Sequence, residues 1–301
     1  MSASLTRMFA RRKEAMSNGI PDSGTEPAVS VVLPTYNRAA LLGRSIRSVL
    51  GQSYGDFEVL VIDDGSTDET AGVVAAFGDR RVRYVPLSRN TGAAAARNVG
   101  IRMSRGKFLA FQDSDDEWLP SKLERQMSAF ERGPSGLGVV YSDMQRVWGD
   151  GTETYLPAPD VRTGRLVGAS AWFYQVCDLG IQSTLIRREW LDAAGHFNEE
   201  LPALEDLEMF IRLSRLCAFE RLREPLVRYH DTQGLSKDRY AKWVSRKVIL
   251  RLYYKELLTR NPAFLFKEAL WLCATRGLAE RAKRAAVREG RREGHWVSRE
   301  S

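Results

Sequence analysis

The feature that most constrains this sequence is the alternation, from residue 29 to residue 112, of short apolar runs with amphipathic stretches. Residues 29–33 (VSVVL) form an apolar run of strand length, and Leu41, Leu42, Ile46, Val49 and Leu50 then recur at helical spacing. Residues 57–63 (FEVLVID) give a second strand, leading into GSTDETAGVVAAF, where Ser66 and Glu69 have the spacing of a capping box. Residues 82–85, an Ala-rich helix from about Thr91 to Met103, and residues 107–112 continue the pattern. A β-α-β-α order implies an α/β, doubly wound and mainly parallel sheet whose ligands gather at the carboxyl ends of the strands.

Composition narrows the class. A hydrophobic content of 44% and a charged content of 28% suit a globular chain with a core of ordinary size. Cys177, Cys217 and Cys273 lie far apart and lack Cys-x-x-Cys spacing, which argues against a disulfide framework and a zinc site and for a reducing, cytoplasmic setting. No run of signal-peptide character or of about 18 apolar residues occurs, so neither secretion nor a membrane span is expected. The net charge of +7 calls for an anionic partner, and charge alone does not choose among a nucleotide diphosphate, a membrane surface and a nucleic acid.

The second half is less regular. Residues 138–143 and 183–188 read as strands around a stretch rich in Gly and Pro, where substrate loops commonly lie. Residues 205–216 (EDLEMFIRLSRL) place Leu207, Phe210 and Ile211 on one helical face, with Glu205 and Asp206 at the N-terminus. Beyond about Tyr240 the sequence reads as helical, with an Arg-rich end. The expected organisation is a flexible basic leader at 1–27, an α/β domain at 28–238 and a helical extension at 239–301.

Three polar groups follow strand ends: PTYNR after the first, DDGSTDE after the second and DSDDEW after the fourth. On a doubly wound sheet they share one rim. Asp63-Asp64-Gly65-Ser66 alone is also a good turn with a helix cap, and Asp113-Ser114-Asp115-Asp116 alone is also a good solvated acidic loop. Their shared rim favours a hard divalent cation, which takes one or two carboxylates together with substrate phosphates and water.

The ordered set VSVVLPTYNRAALLGRSIRSVLGQSYGDFEVLVIDDGSTDET, NTGAAAARNVGI, GKFLAFQDSDDEW and ALEDLEMFIRL resembles the motifs of the inverting glycosyltransferases of family 2, over about residues 29–236. A lone Asp-x-Asp carries little weight; four motifs in this order carry much. The resemblance implies the GT-A fold, Mg²⁺ or Mn²⁺, a nucleotide diphosphate sugar, most readily a UDP-sugar, and a glycan or lipid-linked acceptor. It implies no nucleic-acid partner, and a cytoplasmic place with peripheral contact at the inner face of the plasma membrane is compatible with it.

Carried over residue by residue, the resemblance puts Pro34, Thr35, Tyr36 and Asn37 at the nucleotide. Asp64 would accept a hydrogen bond from the base, with Asp63 shaping the turn, and Arg97 would lie near the phosphates. Asp113-Ser114-Asp115 matches the Asp-x-Asp signature, with Asp113 towards the ribose, Asp115 as the first metal ligand and Asp116 as a reserve one. Asp206, from the late acidic pair, would be the general base of an inverting transfer. His230 would ligate the metal or bond the diphosphate, and Arg228 would offset leaving-group charge. Trp118, Trp172, Phe173 and Tyr174 could stack on sugar rings or pack in the core, and residues 263–273 (AFLFKEALWLC) could lie on a membrane or pack against the domain.

Two other enzyme classes fit less well. A nucleotidyltransferase needs a Gly-rich basic loop at the first strand end, and a dinucleotide-dependent oxidoreductase needs Gly-x-Gly-x-x-Gly there; PTYNRAA is neither. The non-enzymatic alternative is a membrane-associated protein that binds a nucleotide sugar without turnover.

Overall fold

The computed structural model describes residues 26–161, 179–231, 238–260 and 262–288. Trp172, Phe173, Tyr174, nearly all of the leader, residues 232–237 and the Arg-rich end beyond residue 288 lie outside the described residues.

The first half is built from β1 (Val29–Thr35), α1 (Ala39–Leu50), β2 (Phe57–Asp63), α2 (Thr70–Ala75), β3 (Val82–Pro86), α3 (Ala93–Met103) and β4 (Phe108–Phe111). The strands pair in parallel in the order β3-β2-β1-β4. Every residue of β2 is buried, as a central parallel strand covered on both faces requires. Alternation along the strands divides the core in two. Val32, Leu60, Ile62, Leu109 and Phe111 meet Ala94, Ala96 and Ile101 of α3, while Val31, Leu33, Val59, Val61 and Ala110 meet Leu42, Ile46 and Val49 of α1. Helix α3 lies close on the sheet because Gly100 has no side chain: a Cβ there would stand 2.3 Å from the Val32 side chain.

The second half extends the sheet with β5 (Glu117–Trp118), β6 (Leu137–Val147), β7 (Glu153–Leu156), β8 (Thr184–Arg187) and β9 (Ala218–His230), giving the order β3-β2-β1-β4-β8-β6-β9-β5 with β7 paired to β6. Strands β8, β7 and β5 pair antiparallel to their neighbours, and the long β6–β9 ladder is parallel. The sheet is therefore mostly parallel, with antiparallel joints in its second half. Helices α4 (Lys122–Arg132), α5 (Arg188–Ala194) and α6 (Glu205–Leu213) complete the layers. Helix α7 (Arg239–Arg260) buries Ile249, Leu250, Tyr253 and Leu257 in the core that α3 and α6 share, and α8 (Pro262–Arg288) follows it.

Two helix starts differ from the sequence expectation. The Ser66–Glu69 capping box does not form: α2 begins at Thr70, whose N–H donates to Asp68 Oδ1 at 3.1 Å, and Ser66 Oγ instead accepts the Asn37 N–H at 2.9 Å. Helix α3 starts at Ala93 rather than Thr91, because Thr91 and Gly92 are turned back to bond Asp64. Gly65 makes that crossing possible. Its φ is +80°, and a Cβ would lie 2.7 Å from the Arg89 backbone. Gly65→Ala is expected to destabilise the chain by about 1–3 kcal/mol, read as a lower urea midpoint at unchanged slope.

Candidate active site

The parallel registers bring the three loops together. Thr35 is paired with Asp63 and Val32 with Phe111, so β1, β2 and β4 all end at one rim. There the Asp64 N–H donates to Thr35 O at 2.8 Å and the Gln112 N–H donates to Val32 O at 3.0 Å. Asn37, in the left-handed region at φ 50°, accepts the Thr67 N–H at 2.8 Å and so ties the first loop to the second. Pro34 and Thr35 close β1, and Tyr36 stands exposed beside them.

Asp63 and Asp64 are both buried and hold their own turns. Asp63 accepts the Ser66 N–H at 2.8 Å and the Tyr84 hydroxyl. The Asp64 carboxylate accepts Thr91 N–H and Oγ1–H at 2.7 Å each and Gly92 N–H at 2.8 Å, which fixes the β3–α3 loop against the rim.

Arg97 occupies the centre. It is buried on α3, with NH2 2.8 Å from Asp113 Oδ1 and NH1 2.5 Å from Glu205 Oε1. One guanidinium thus joins the loop after β4 to the start of α6. The two carboxylates and Asp206 hold Arg97 charged despite its burial. The next residue, Asn98, clamps the segment that approaches α6: its Nδ2 donates to Phe197 O at 2.9 Å and its Oδ1 accepts the Phe197 N–H at 2.9 Å. Leu204, immediately before Glu205, has φ 60°, a costly conformation for a branched apolar residue, so the backbone is strained where the acidic pair begins.

The carboxylates of the rim are crowded, and their proton affinities respond. Burial and the adjacent Glu205 charge push Asp206 up to about 7, against the pull of Arg97. Burial and the charges of Asp115 and Glu205 raise Asp113, with Arg97 opposing. Burial and the charges of Asp113 and Asp115 raise Asp116 well above the usual carboxylate range, although its Oδ1 accepts the His230 N–H at 2.9 Å. Helix α1 holds the same loop by its backbone: Arg44 NH2 donates to Asp115 O at 2.5 Å and Ser45 Oγ–H to Asp113 O at 2.9 Å, with Ser114 between them. Arg38 lies 3.7 Å from Asp115.

The two-residue pairing of β5 with β9 brings His230 to this loop. Its Nε2 is 2.6 Å from Glu117 Oε1, so the imidazole faces Glu117 and the backbone N–H serves Asp116. Arg228 lies 3.4 Å from Glu153 on β7. Trp118 packs in the core, donating to Gln182 O at 3.0 Å and lying under the buried Lys122 ammonium at 4.0 Å. The sequence marks Glu117 only as a member of the acidic run after β4, with no role of its own, and does not single out Asn98, Arg44 or Tyr84. Those three act only through contacts distant in the chain.

The donor chemistry fits a hard divalent cation. Asp116 Oδ2 is buried without a hydrogen-bond partner, and Asp115 stands one residue away on the same loop. Among the described residues no three His, Cys, Asp or Glu side chains are gathered closely enough to hold a cation by themselves. A cation here would draw one or two carboxylates from the protein and the rest from a phosphate ligand and water, which is how Mg²⁺ is usually held.

The doubly wound sheet thus gathers carboxylates on one rim, and an acidic helix start meets them through Arg97. Residues 30–194 match Glycosyl transferase family 2, and the chain belongs to that family. The succinoglycan biosynthesis protein ExoO of Rhizobium meliloti is 30% identical over 271 residues, covering 87% of this chain and 73% of that protein. The UDP-Glc:alpha-D-GlcNAc-diphosphoundecaprenol beta-1,3-glucosyltransferase WfgD of Escherichia coli is 44% identical over 100 residues, 33% of this chain and 40% of its own length. The chain thus spans well under two thirds of the WfgD relative. Among solved structures, S. aureus TarS 1-349 in complex with UDP-GlcNAc matches with a TM-score of 0.59 at 24% identity, covering 74% of this chain and 66% of that one. The mannosyltransferase PcManGT from Pyrobaculum calidifontis, in complex with GDP-Man and Mn²⁺, matches with a TM-score of 0.58 at 19% identity, covering 94% and 82%. Both share the GT-A fold with this chain.

Removing the central cation should expose how much the rim depends on it. Arg97→Met leaves Asp113 and Glu205 without their counter-charge and is expected to cost roughly 2 kcal/mol or more at pH 7.5, given that Asp113 is partly exposed. Asp113 and Asp206 are already raised by burial against the pull of Arg97, so without it their folded pKa values stand further above the unfolded ones and the folded form gains protons as pH falls. The deficit should therefore shrink towards pH 5, checked by urea unfolding of both proteins at the two pH values.

Proposed function

We propose that this protein transfers a sugar from a nucleotide diphosphate sugar to a glycan or lipid-linked acceptor by direct, inverting displacement, with Asp206 as general base. The observation that carries the reading is the Arg97 bridge, in which one guanidinium nitrogen meets Asp113 of the loop after β4 and the other meets Glu205, next to Asp206, at the start of α6. Such a displacement needs the leaving diphosphate on one side of the anomeric carbon and a proton acceptor on the other. No covalent sugar intermediate is required.

In this reading Pro34, Thr35, Tyr36 and Asn37 bound the nucleotide, Asp64 takes a donor from the base while fixing the β3–α3 loop, and Asp113 faces the ribose. Asp115 and Asp116 would hold Mg²⁺ or Mn²⁺, and His230 would reach the cation or diphosphate by leaving Glu117. When bound, that cation supplies charge neutralisation for the departing diphosphate. Arg97 keeps Asp113 oriented, and the raised proton affinity of Asp206 suits a base that must accept a proton from a hydroxyl near neutral pH. The neighbours lend support: TarS was solved with UDP-GlcNAc, PcManGT with GDP-Man and Mn²⁺, and WfgD is named for a diphosphoundecaprenol acceptor. A UDP-sugar is the donor to try first, in a polysaccharide pathway of the cell envelope.

Asp206→Asn should lower transfer about 10²- to 10⁴-fold while nucleotide affinity changes little, because the amide keeps the shape and loses the proton acceptor. Glu205→Gln is the comparison; loss of turnover in that variant alone, with binding intact, would move the base to Glu205. In the wild-type protein kcat/KM should rise with pH through about 7 as Asp206 loses its proton, and this limb should be absent from the residual rate of Asp206→Asn. Asp115→Asn should weaken metal-dependent binding of the nucleoside diphosphate, read by titration calorimetry with and without Mn²⁺; equal affinity and equal metal dependence would remove Asp115 from the ligand set.

A further inference from the structure

Helices α7 and α8 form an antiparallel hairpin. Trp243 Nε1 donates to Leu272 O at 3.0 Å, Arg246 pairs with Glu268 at 2.8 Å and its guanidinium lies 4.6 Å from the Trp271 ring centre. The inner face of α7 is in the core, which leaves α8 as an outer layer. On α8 the exposed residues Phe266, Leu270, Cys273 and Gly277 recur at i, i+4, i+7 and i+11, one stripe of the helix, with Leu278 on its flank. Phe266 is 67% exposed, and Leu270 and Leu278 are each 54% exposed. Of the eleven exposed large apolar side chains among the described residues, seven lie on this hairpin. Scattered exposed apolar residues are ordinary, but this concentration is not.

The charge on the hairpin is equally uneven. Residues 239–288 contain thirteen Lys and Arg against three Glu, a net +10 that exceeds the +7 of the whole chain. Glu256 and Glu268 are already paired, with Arg215 and Arg246. Arg281 and Arg284 are exposed and continue the apolar stripe, while Lys267 and Arg276 flank it. No helix among the described residues is long and apolar enough to cross a membrane.

We propose that the outer face of α8 docks flat on an anionic lipid surface, its apolar stripe entering the headgroup boundary and its cations meeting the headgroups. An apolar stripe bordered by Lys and Arg on a helix of low overall hydrophobicity is the pattern that binds this way. A second copy of this face is the poorer occupant, since pairing the face with itself would bring two strongly cationic hairpins together. The docking face is linked to the acidic helix through α7: the Ala203 N–H, just before that helix, donates to Ser245 Oγ at 3.1 Å, and Tyr253 Oη donates to Glu208 Oε1 at 2.7 Å. One helix, α7, separates the lipid-facing surface from the element that bears Asp206.

The test is sedimentation of the full chain with vesicles of phosphatidylcholine alone or with about one third phosphatidylglycerol, in low salt and without donor or acceptor. It is therefore independent of whether sugar transfer is correctly assigned. Binding to the anionic vesicles, weakened by salt, is expected. The triple variant Arg276→Gln, Arg281→Gln, Arg284→Gln should bind roughly a hundredfold more weakly, at about fivefold per charge removed. Phe266→Ser with Leu270→Ser should reduce binding at least about tenfold. Should the apolar variant lose its melting transition, the Arg variant, whose side chains are exposed, decides. Equal sedimentation with both vesicle types, unchanged binding of the Arg variant, or a concentration-dependent dimer without vesicle binding would overturn the proposal.

Discussion

The guanidinium of Arg97 is the contact on which the rim depends. Asp113, Asp115, Asp116, Glu117, Glu205 and Asp206 come from two distant segments, and burying them together raises the free energy of ionised Asp113, Asp116 and Asp206. Arg97 is buried between the segments, where an unpaired cation is as costly as an unpaired anion, so cation and carboxylates hold one another in place. The clamp of Asn98 on Phe197, one residue along the same helix, adds a neutral tie between the same two parts. A short Ala-rich stretch of α3 thereby sets the distance between the loop after β4 and the start of α6.

Not all of the acidic groups are free to meet a ligand. Asp63 and Asp64 are occupied largely by backbone and hydroxyl donors and act as braces for two loops. Asp116 differs, with one oxygen on the His230 N–H and the other buried without a partner. The carboxylates after β2 thus serve the loops themselves, whereas Asp116 after β4 keeps one oxygen outside the hydrogen-bond network.

The alternation of β1 to β4 with their helices was legible because central parallel strands are continuous apolar runs and their helices carry a clear period. The shared rim followed from that order. What the sequence could not show was the use of side chains across long separations. Ser66 and Glu69 have the spacing of a cap, but the fold offers Ser66 a better-placed partner in Asn37, twenty-nine residues earlier. The imidazole of His230 turned to Glu117 because β5 and β9 pair, and a two-residue strand leaves almost no periodic signal. Arg97 was legible only as a residue near the phosphates through the family resemblance; its double bridge depends on a helix start more than a hundred residues later. The packing of α7 into the core was also hidden, since its apolar residues are mixed with many cations.

The late arrival of β9 has a consequence for how the molecule is made. Its partner on the acidic loop, β5, lies more than a hundred residues earlier, and the His230–Asp116 bond closes a loop of 114 residues. The β3-β2-β1-β4 half can pair from nearby segments as it leaves the ribosome, whereas the acidic loop gains its final strand only after most of the chain has been synthesised. During that interval the nascent half presents an unpaired sheet edge at β4 and an acidic loop without its β9 partner. Chaperone dependence and early proteolytic nicking would accordingly concentrate between β4 and β9.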